Sequence, residues 1–244
     1  MNIKFIGTGT MGSITRGNTS ILIDNILFDC GMGTVKQLER YKKYTKNIKY
    51  VLITHFHADH FFDIPNLLVG RRSRGEIDNK LYIIISISGR RKVIDMMKFS
   101  FGNGIKDAYE NIEEKYNVEF IELDVDEKYE FEDYEIEAIQ QKHGNCIPTY
   151  GYLLRKDGIT IGYTGDTSVN ENLFKMCQKA DYMFTDATTY APIEGGDHMS
   201  FEELREISEK YNSCKFYAVH RGDYEIKNKG KVIVPNDGEE FETI

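Results

Sequence analysis

The chain has 244 residues, enough for one large domain or two small ones, and 41% of them are hydrophobic, so it can bury a substantial core. A formal charge of −8 gives no general attraction to nucleic acid, whose polyanionic backbone is usually met by basic surface. No apolar run is long enough to cross a bilayer, and residues 1–5 lead into a strand rather than a signal peptide, which predicts a cytoplasmic protein with no membrane partner.

Residues 3–6, 20–23 and 25–29 read as short strands joined by Gly-rich and Asp-Asn turns, so the chain opens as a β meander. A helix follows, with Thr34 as its cap, an apolar face of Val35, Leu38 and Tyr41, and Lys42 and Lys43 at its C-terminal end. Residues 50–54 form a buried strand, and Asp63-Ile64-Pro65 places a capping carboxylate and an early proline at the start of a helix reaching Val69. Strands are expected at 81–85, 118–123, 134–140, 150–155 and 159–163, then a helix at 171–179, a strand at 182–185, a helix at 201–211 and a strand at 216–219. Such alternation calls for sheets covered by helices, and two sheets sandwiched between helical layers satisfy it. No linker rich in Pro, Gly or Ser divides residues 1–244, which predicts a single domain.

Four cysteines, Cys30, Cys146, Cys177 and Cys214, form no Cys-x-x-Cys pair and read as reduced, buried thiols; Cys30 and Cys146 also lie near the motifs below. The basic cluster Arg71-Arg72-Ser73-Arg74, with Arg90-Arg91-Lys92 following, reads as a solvated helix end, with a local phosphate-attracting patch as the alternative, and the acidic segment 110–132 as solvated surface.

The chemistry concentrates in His55-Phe56-His57-Ala58-Asp59-His60, which leaves the apolar strand 50–54 with three imidazoles and a carboxylate in six residues. Divalent ions such as zinc accept imidazole nitrogen and carboxylate oxygen together, and two ions side by side activate water for hydrolysis. The other three of the six histidines fall after strands or in a glycine-bearing loop: His143 after 134–140, His220 after 216–219, and His198 in Gly195-Gly196-Asp197-His198-Met199-Ser200. Asp166, in Tyr163-Thr164-Gly165-Asp166-Thr167, also lies just past a strand. Loops at one sheet edge commonly assemble an active site, and this set has the size and type for two metals.

Taken with Gly7-Thr8-Gly9-Thr10, Leu27-Phe28-Asp29-Cys30-Gly31, Asp186-Ala187-Thr188 and His198-Met199-Ser200, these motifs make nearly the whole chain resemble the metallo-β-lactamase superfamily, within it the ribonuclease Z-like branch of phosphodiesterases. The resemblance implies a four-layer αβ/βα sandwich. It assigns His55, His57 and His143 to one metal and Asp59, His60 and His220 to the other, with Asp166 bridging and a water or hydroxide shared between the ions as nucleophile. Asp59 and His198 are the residues it places in catalysis, His198 standing close to the scissile phosphate as a proton donor or charge stabiliser. Asp186 fits a carboxylate orienting His198 or a ligand histidine, and Asp29 fits an acceptor for a ligand imidazole N–H. Zinc suits the ligands, with manganese or iron admitted by the carboxylates, and a homodimer matches the similar enzymes.

Transfer-RNA-processing relatives can carry a long arm between the positions of His143 and Asp166, but residues 144–165 suffice only for two strands and a turn. The missing arm and the acidic balance favour a small phosphodiester, such as a cyclic nucleotide or cyclic sugar phosphate, over RNA. Residues 71–79 or 99–109 are the places where a substitute arm would lie. Two departures from the pattern are Ile85-Ser86-Ile87-Ser88-Gly89, where relatives usually turn through Gly-Pro, and the lack of structural-zinc cysteines between Gly12 and Asn18. Other readings on this scaffold are a ribonuclease Z-type transfer-RNA 3′-endonuclease, a lactonase or thioesterase, and a metal-retaining protein without catalysis.

Overall fold

The computed structural model describes residues 1–102 and 109–244. The meander β1 (Asn2–Gly7), β2 (Ser20–Ile23) and β3 (Ile26–Phe28) passes through α1 (Thr34–Arg40) to β4 (Tyr50–Leu52). Next come α2 (Ala58–Phe61), α3 (Ile64–Ser73), β5 (Leu81–Ser86), α4 (Gly89–Phe101), α5 (Ile112–Tyr116) and β6 (Val118–Leu123). An antiparallel run of β7 (Lys128–Phe131), β8 (Tyr134–Gln140), β9 (Tyr150–Lys156) and β10 (Ile159–Tyr163) follows. The chain closes through α6 (Glu171–Lys179), β11 (Tyr182–Asp186), α7 (Phe201–Lys210), β12 (Lys215–Val219) and β13 (Glu240–Glu242).

These strands form two sheets, ordered β13-β1-β2-β3-β4-β5-β6 and β12-β11-β10-β9-β8-β7. Strand side chains alternate between faces, and the sequence uses the alternation to build three apolar layers. Phe5, Phe28, Tyr50 and Leu52 from the first sheet meet Tyr152, Leu154, Phe184 and Tyr217 from the second in the middle layer. The intervening residues Ile6, Leu27, Val51 and Ile83 face outward onto α1, α3 and α4, which contribute Leu38, Leu67 and Val93. Leu153, Met183 and Phe216 do the same on the far side with Leu173 of α6 and Leu204 of α7. The result is the expected helix, sheet, sheet, helix sandwich. Strands β3 to β6 are parallel, as are β10 to β12, and β8 runs with β10 because each is antiparallel to β9. Loops leaving the C-terminal ends of β4, β8, β10, β11 and β12 carry the histidine and aspartate motifs.

Several local expectations are corrected. Thr34 does not cap α1: Gly33 precedes the helix in the left-handed region, and the Thr34 hydroxyl is buried without a hydrogen-bond partner. Lys42 and Lys43 lie beyond the helix end. Asp63 occupies the capping position of α3, but its carboxylate accepts from the Val35 N–H at 2.8 Å and Asn66 Nδ2 at 2.6 Å, tying α1 to α3. Arg71 is not solvated; it is fully buried, donating to the carbonyls of Thr45, Ile48 and Asn79, and it holds residues 71–79 against the body. Residues 110–132 are not bare surface either, since α5, β6 and β7 bury Ile112, Tyr116, Val118, Leu123 and Phe131 beneath their charged faces. Between His143 and Asp166 the chain makes β9, β10 and their turn, leaving no length for an arm. Residues 103–108 of the other suggested arm, 99–109, lie outside the described residues. Where a Gly-Pro turn was the family norm, Ser88 takes a left-handed conformation and opens α4. All four cysteines are free; Cys30, Cys177 and Cys214 are buried, whereas Cys146 is half-buried at the mouth of the site.

Candidate metal centre

The His55 to His60 motif is shaped by what lies beneath it. Buried Asp29 accepts the Thr54 N–H at 2.8 Å and the Thr54 hydroxyl at 3.0 Å, pinning the chain as it leaves β4. His57 stays extended, and the single turn α2 then projects Asp59 and His60. That turn rests on Gly31, where any Cβ would sit 1.7 Å from the Asp59 carbonyl oxygen, and the Cys30 N–H donates to the His60 carbonyl at 2.8 Å. Glycine is required here by close backbone approach.

The structure brings the predicted residues into two groups, His55, His57, His143 and Asp166, and Asp59, His60, Asp166 and His220, with candidate ligand atoms within 4.8 Å of one another in each. Asp166 belongs to both and turns a different oxygen to each. Its Oδ2 lies 3.7 Å from His55 Nε2 and 3.8 Å from His143 Nε2, while its Oδ1 lies 3.1 Å from His60 Nε2 and 3.3 Å from His220 Nε2. His143 Nε2 and His57 Nδ1 are 3.2 Å apart, as are His220 Nε2 and Asp59 Oδ2.

The donor atoms have been left free to take a cation. His55 Nε2, His60 Nε2 and Asp166 Oδ1 are buried without a hydrogen-bond partner among the described residues; His60 Nε2, though 3.1 Å from Asp166 Oδ1, does not meet it in hydrogen-bonding alignment. Orphaned buried polar atoms cost about 1–3 kcal/mol each, so their convergence on one point fits positive charge placed between them. The opposite ring nitrogens are anchored. His60 Nδ1 lies 2.7 Å from Asp29 Oδ2, and His143 Nδ1 lies 3.0 Å from the Asp197 carbonyl. Because those partners only accept, each ring keeps a proton on Nδ1, so Nε2 is the nitrogen able to offer a lone pair to a cation. Thr54 Oγ1 holds His55 Nδ1 at 3.1 Å, and Thr188 Oγ1 holds His220 Nδ1 at 2.8 Å.

The electrostatics divide at Asp166. Burial, and then the neighbouring His60, hold His55 well below the usual imidazole range; burial and His143 lower His57. On the other side burial is outweighed: Asp166 and Asp29 push His60 well up, and Asp166 with Asp186 and Asp59 pushes His220 up to about 10. Against their own burial, Asp166 is held down by His220 and His60, and Asp59 by its bond to His220 and by His60.

His198 stands beside these groups. Its ring stacks on His220 with centroids 5.3 Å apart, and its Nδ1 lies 2.8 Å from Asp186 Oδ2. Burial opposes its charge, but the bond to Asp186 prevails and raises its pKa. Buried Asp186 is itself fixed by the N–H groups of Thr167 and Thr188. Asp166, Asp186, His198 and His220 also come within 4.8 Å of one another.

Above the groups opens a cleft of about 680 Å³, lined by Thr10, Met11 and Gly12, by Asn145, Cys146, Thr188 and Asp197, and by the histidines and aspartates at its base. Among the described residues no lysine or arginine lines it. Sequence reasoning missed Thr54, Thr188 and Tyr163, whose hydroxyl donates to Asp29 at 2.7 Å. Adjacency of Thr54 to His55 and of Thr188 to the Asp186 motif was the only signal.

Comparison with known proteins gives a consistent picture. The family described as anti-Pycsar protein Apyc1 matches residues 1–233. Ribonuclease Z from Picrophilus torridus is 28% identical over 280 aligned residues, covering 89% of this chain and 84% of that protein. The metallo-β-lactamase fold protein YhfI from Bacillus subtilis superposes with a TM-score of 0.80 at 17% identity, over 99% of this chain and 98% of that one. The short form of human tRNase Z does so with a TM-score of 0.76 at 22% identity, over 99% of each chain.

Proposed function

The chain belongs to the anti-Pycsar protein Apyc1 family, and on that premise we propose that this metal-dependent hydrolase of the metallo-β-lactamase fold is a phosphodiesterase acting on a small phosphodiester, cyclic ones included. The observation that carries the reading is Asp166, whose two oxygens face two separate imidazole groups at the base of an open cleft. In this reading His55, His57 and His143 would hold one divalent ion and Asp59, His60 and His220 a second, with Asp166 available to either. Zinc suits the imidazoles, and manganese or iron the added carboxylates. Such ions supply a water acidic enough to attack near neutral pH, together with positive charge for the phosphoryl oxygens.

The chain's own residues do the rest. Asp29, Thr54, the Asp197 carbonyl and Thr188 aim the imidazoles. His198, kept protonated by Asp186, offers a proton at Nε2, so that as the P–O bond breaks the departing oxygen leaves as an alcohol. The small-substrate preference rests on the cleft: successive phosphates of an RNA are normally met by lysine and arginine, and among the described residues none lines this wall. We place the enzyme in the cytoplasm as a homodimer with reduced thiols. Among the described residues no helix is long and apolar enough to cross a membrane.

The 28% identity to a ribonuclease Z over most of the chain favours one second reading, transfer-RNA 3′-processing. Metal-reconstituted protein should be assayed against cyclic nucleotides, linear dinucleotides, precursor transfer RNA, lactones and thioesters. Turnover of the small phosphodiesters is expected; selective trimming of transfer RNA, or hydrolysis of only lactones or thioesters, would overturn the reading. His198→Ala should slow cleavage of bis(p-nitrophenyl) phosphate by about 10²- to 10⁴-fold with metal content unchanged, and should abolish the fall in rate as pH rises through the raised His198 pKa.

A further inference from the structure

Asp197 is an acidic side chain in the wall of a cleft whose proposed substrate is an anion. Its backbone has a clear task, since the carbonyl holds His143 Nδ1 at 3.0 Å. Its carboxylate has none: it takes part in no hydrogen bond or ion pair among the described residues. It lies on Gly144, which is in the left-handed region (φ 50°), and a Cβ there would come within 2.7 Å of the carboxyl carbon and of Oδ2. Gly144 immediately follows His143, so the bare glycine surface seats a negative charge beside one of the two imidazole groups.

We propose that Asp197 is a specificity-determining residue that filters substrates by charge, admitting a phosphodiester with a single negative charge and excluding one that carries a further phosphate near the reacting group. The inference rests on the phosphodiesterase reading and deepens it by naming the substrate class. A lone phosphodiester has its one charge offset at the base of the cleft. A second phosphate placed along the walls would meet no lysine or arginine among the described residues and would meet Asp197. Two like charges a few ångströms apart repel even in an open cleft, by an amount that changes binding by about tenfold. Thr10, Met11 and Asn145 carry no charge to offset this, and His198 in the same lining is already bonded to Asp186. Such a filter separates single-phosphate diesters from oligonucleotides and from nucleotides with extra phosphate groups.

The test uses metal-reconstituted full-length protein and a matched pair of chromogenic substrates, the p-nitrophenyl ester of thymidine 5′-phosphate and the same ester bearing a 3′-phosphate. In the unmodified protein KM for the 3′-phosphorylated ester should exceed that for the plain ester by about tenfold, and the ratio should shrink as salt is raised. Asp197→Asn should cut the ratio about tenfold and remove its salt dependence, while Asp197→Glu should preserve both. An unchanged ratio in Asp197→Asn, with both esters turned over, would overturn the charge filter alone. Failure of the unmodified protein to hydrolyse either ester would instead overturn the phosphodiesterase reading on which it stands.

Discussion

Asp29 never faces the cleft, yet four donors from three parts of the chain end on it: the Thr54 N–H and hydroxyl, His60 Nδ1 and the Tyr163 hydroxyl. Asp29→Ala would strand them in a dry interior, at about 1–3 kcal/mol for each donor left unpaired. It would also release the His60 ring, and loss of such a supporting carboxylate typically weakens metal binding about 10- to 100-fold. Chemical denaturation and titration with a competing chelator should show both losses; metal affinity equal to that of the unmodified protein would contradict the role given to Asp29. At this scale the residues that the fold gathers at the base of the cleft were largely legible, because six positions compress His55, His57, Asp59 and His60 and few other histidines exist to join them. The hydroxyls that aim them were not. Thr54 and Tyr163 read as ordinary strand formers, and only the approach of β3, β4 and β10 in space turns them into partners of Asp29.

Helices α6 and α7 were legible because apolar residues return at helical spacing: Leu173, Met176 and Cys177 in one, Phe201, Leu204 and Ile207 in the other. α7 adds a capping box between Ser200 and Glu203, which fixes the chain two residues after His198. α4 escaped notice because it buries only Gly89, Val93 and Met97, a stripe too narrow to outweigh Arg90, Arg91, Lys92 and Lys98. Arg71 misled for a related reason, since an arginine among arginines reads as solvent-exposed. In the fold its guanidinium is the hub joining α3 to the segment before β4 and to the turn before β5, bonding to Thr45 O at 2.7 Å and Asn79 O at 2.8 Å. Arg71→Met keeps much of the volume but leaves those carbonyls unpaired, so unfolding free energy should fall by about 2–4 kcal/mol. Lysine should not rescue it, because a single ammonium cannot reproduce the planar fork. A loss under about 0.5 kcal/mol in denaturant titration would show that the hub is dispensable.

Across the whole molecule, the two sheets bring C-terminal strand ends far apart in sequence, from β4, β8, β10, β11 and β12, to one edge. The alternation of helices with strands made that layering legible, whereas the edge strands β7 and β13, short and charged, did not announce themselves. The division of protonation across Asp166 was illegible, because it depends on which imidazole faces which oxygen. Its consequence is measurable. His60 and His220 are pushed up, the latter to about 10, so they hold protons at neutral pH in the metal-free protein, and a cation must displace them. Metal affinity should therefore rise with pH up to about 10, with proton release detected by calorimetry in buffers of different ionisation enthalpy. Uptake without proton release at neutral pH would contradict that picture.

The central claim is that one carboxylate, Asp166, unites two cation positions. Elemental analysis of metal-loaded, desalted protein tests it most directly. Two divalent ions per chain are predicted for the unmodified protein, and loss of both from a still-folded Asp166→Ala. A single ion in the unmodified protein, or two retained by the variant, would contradict the account.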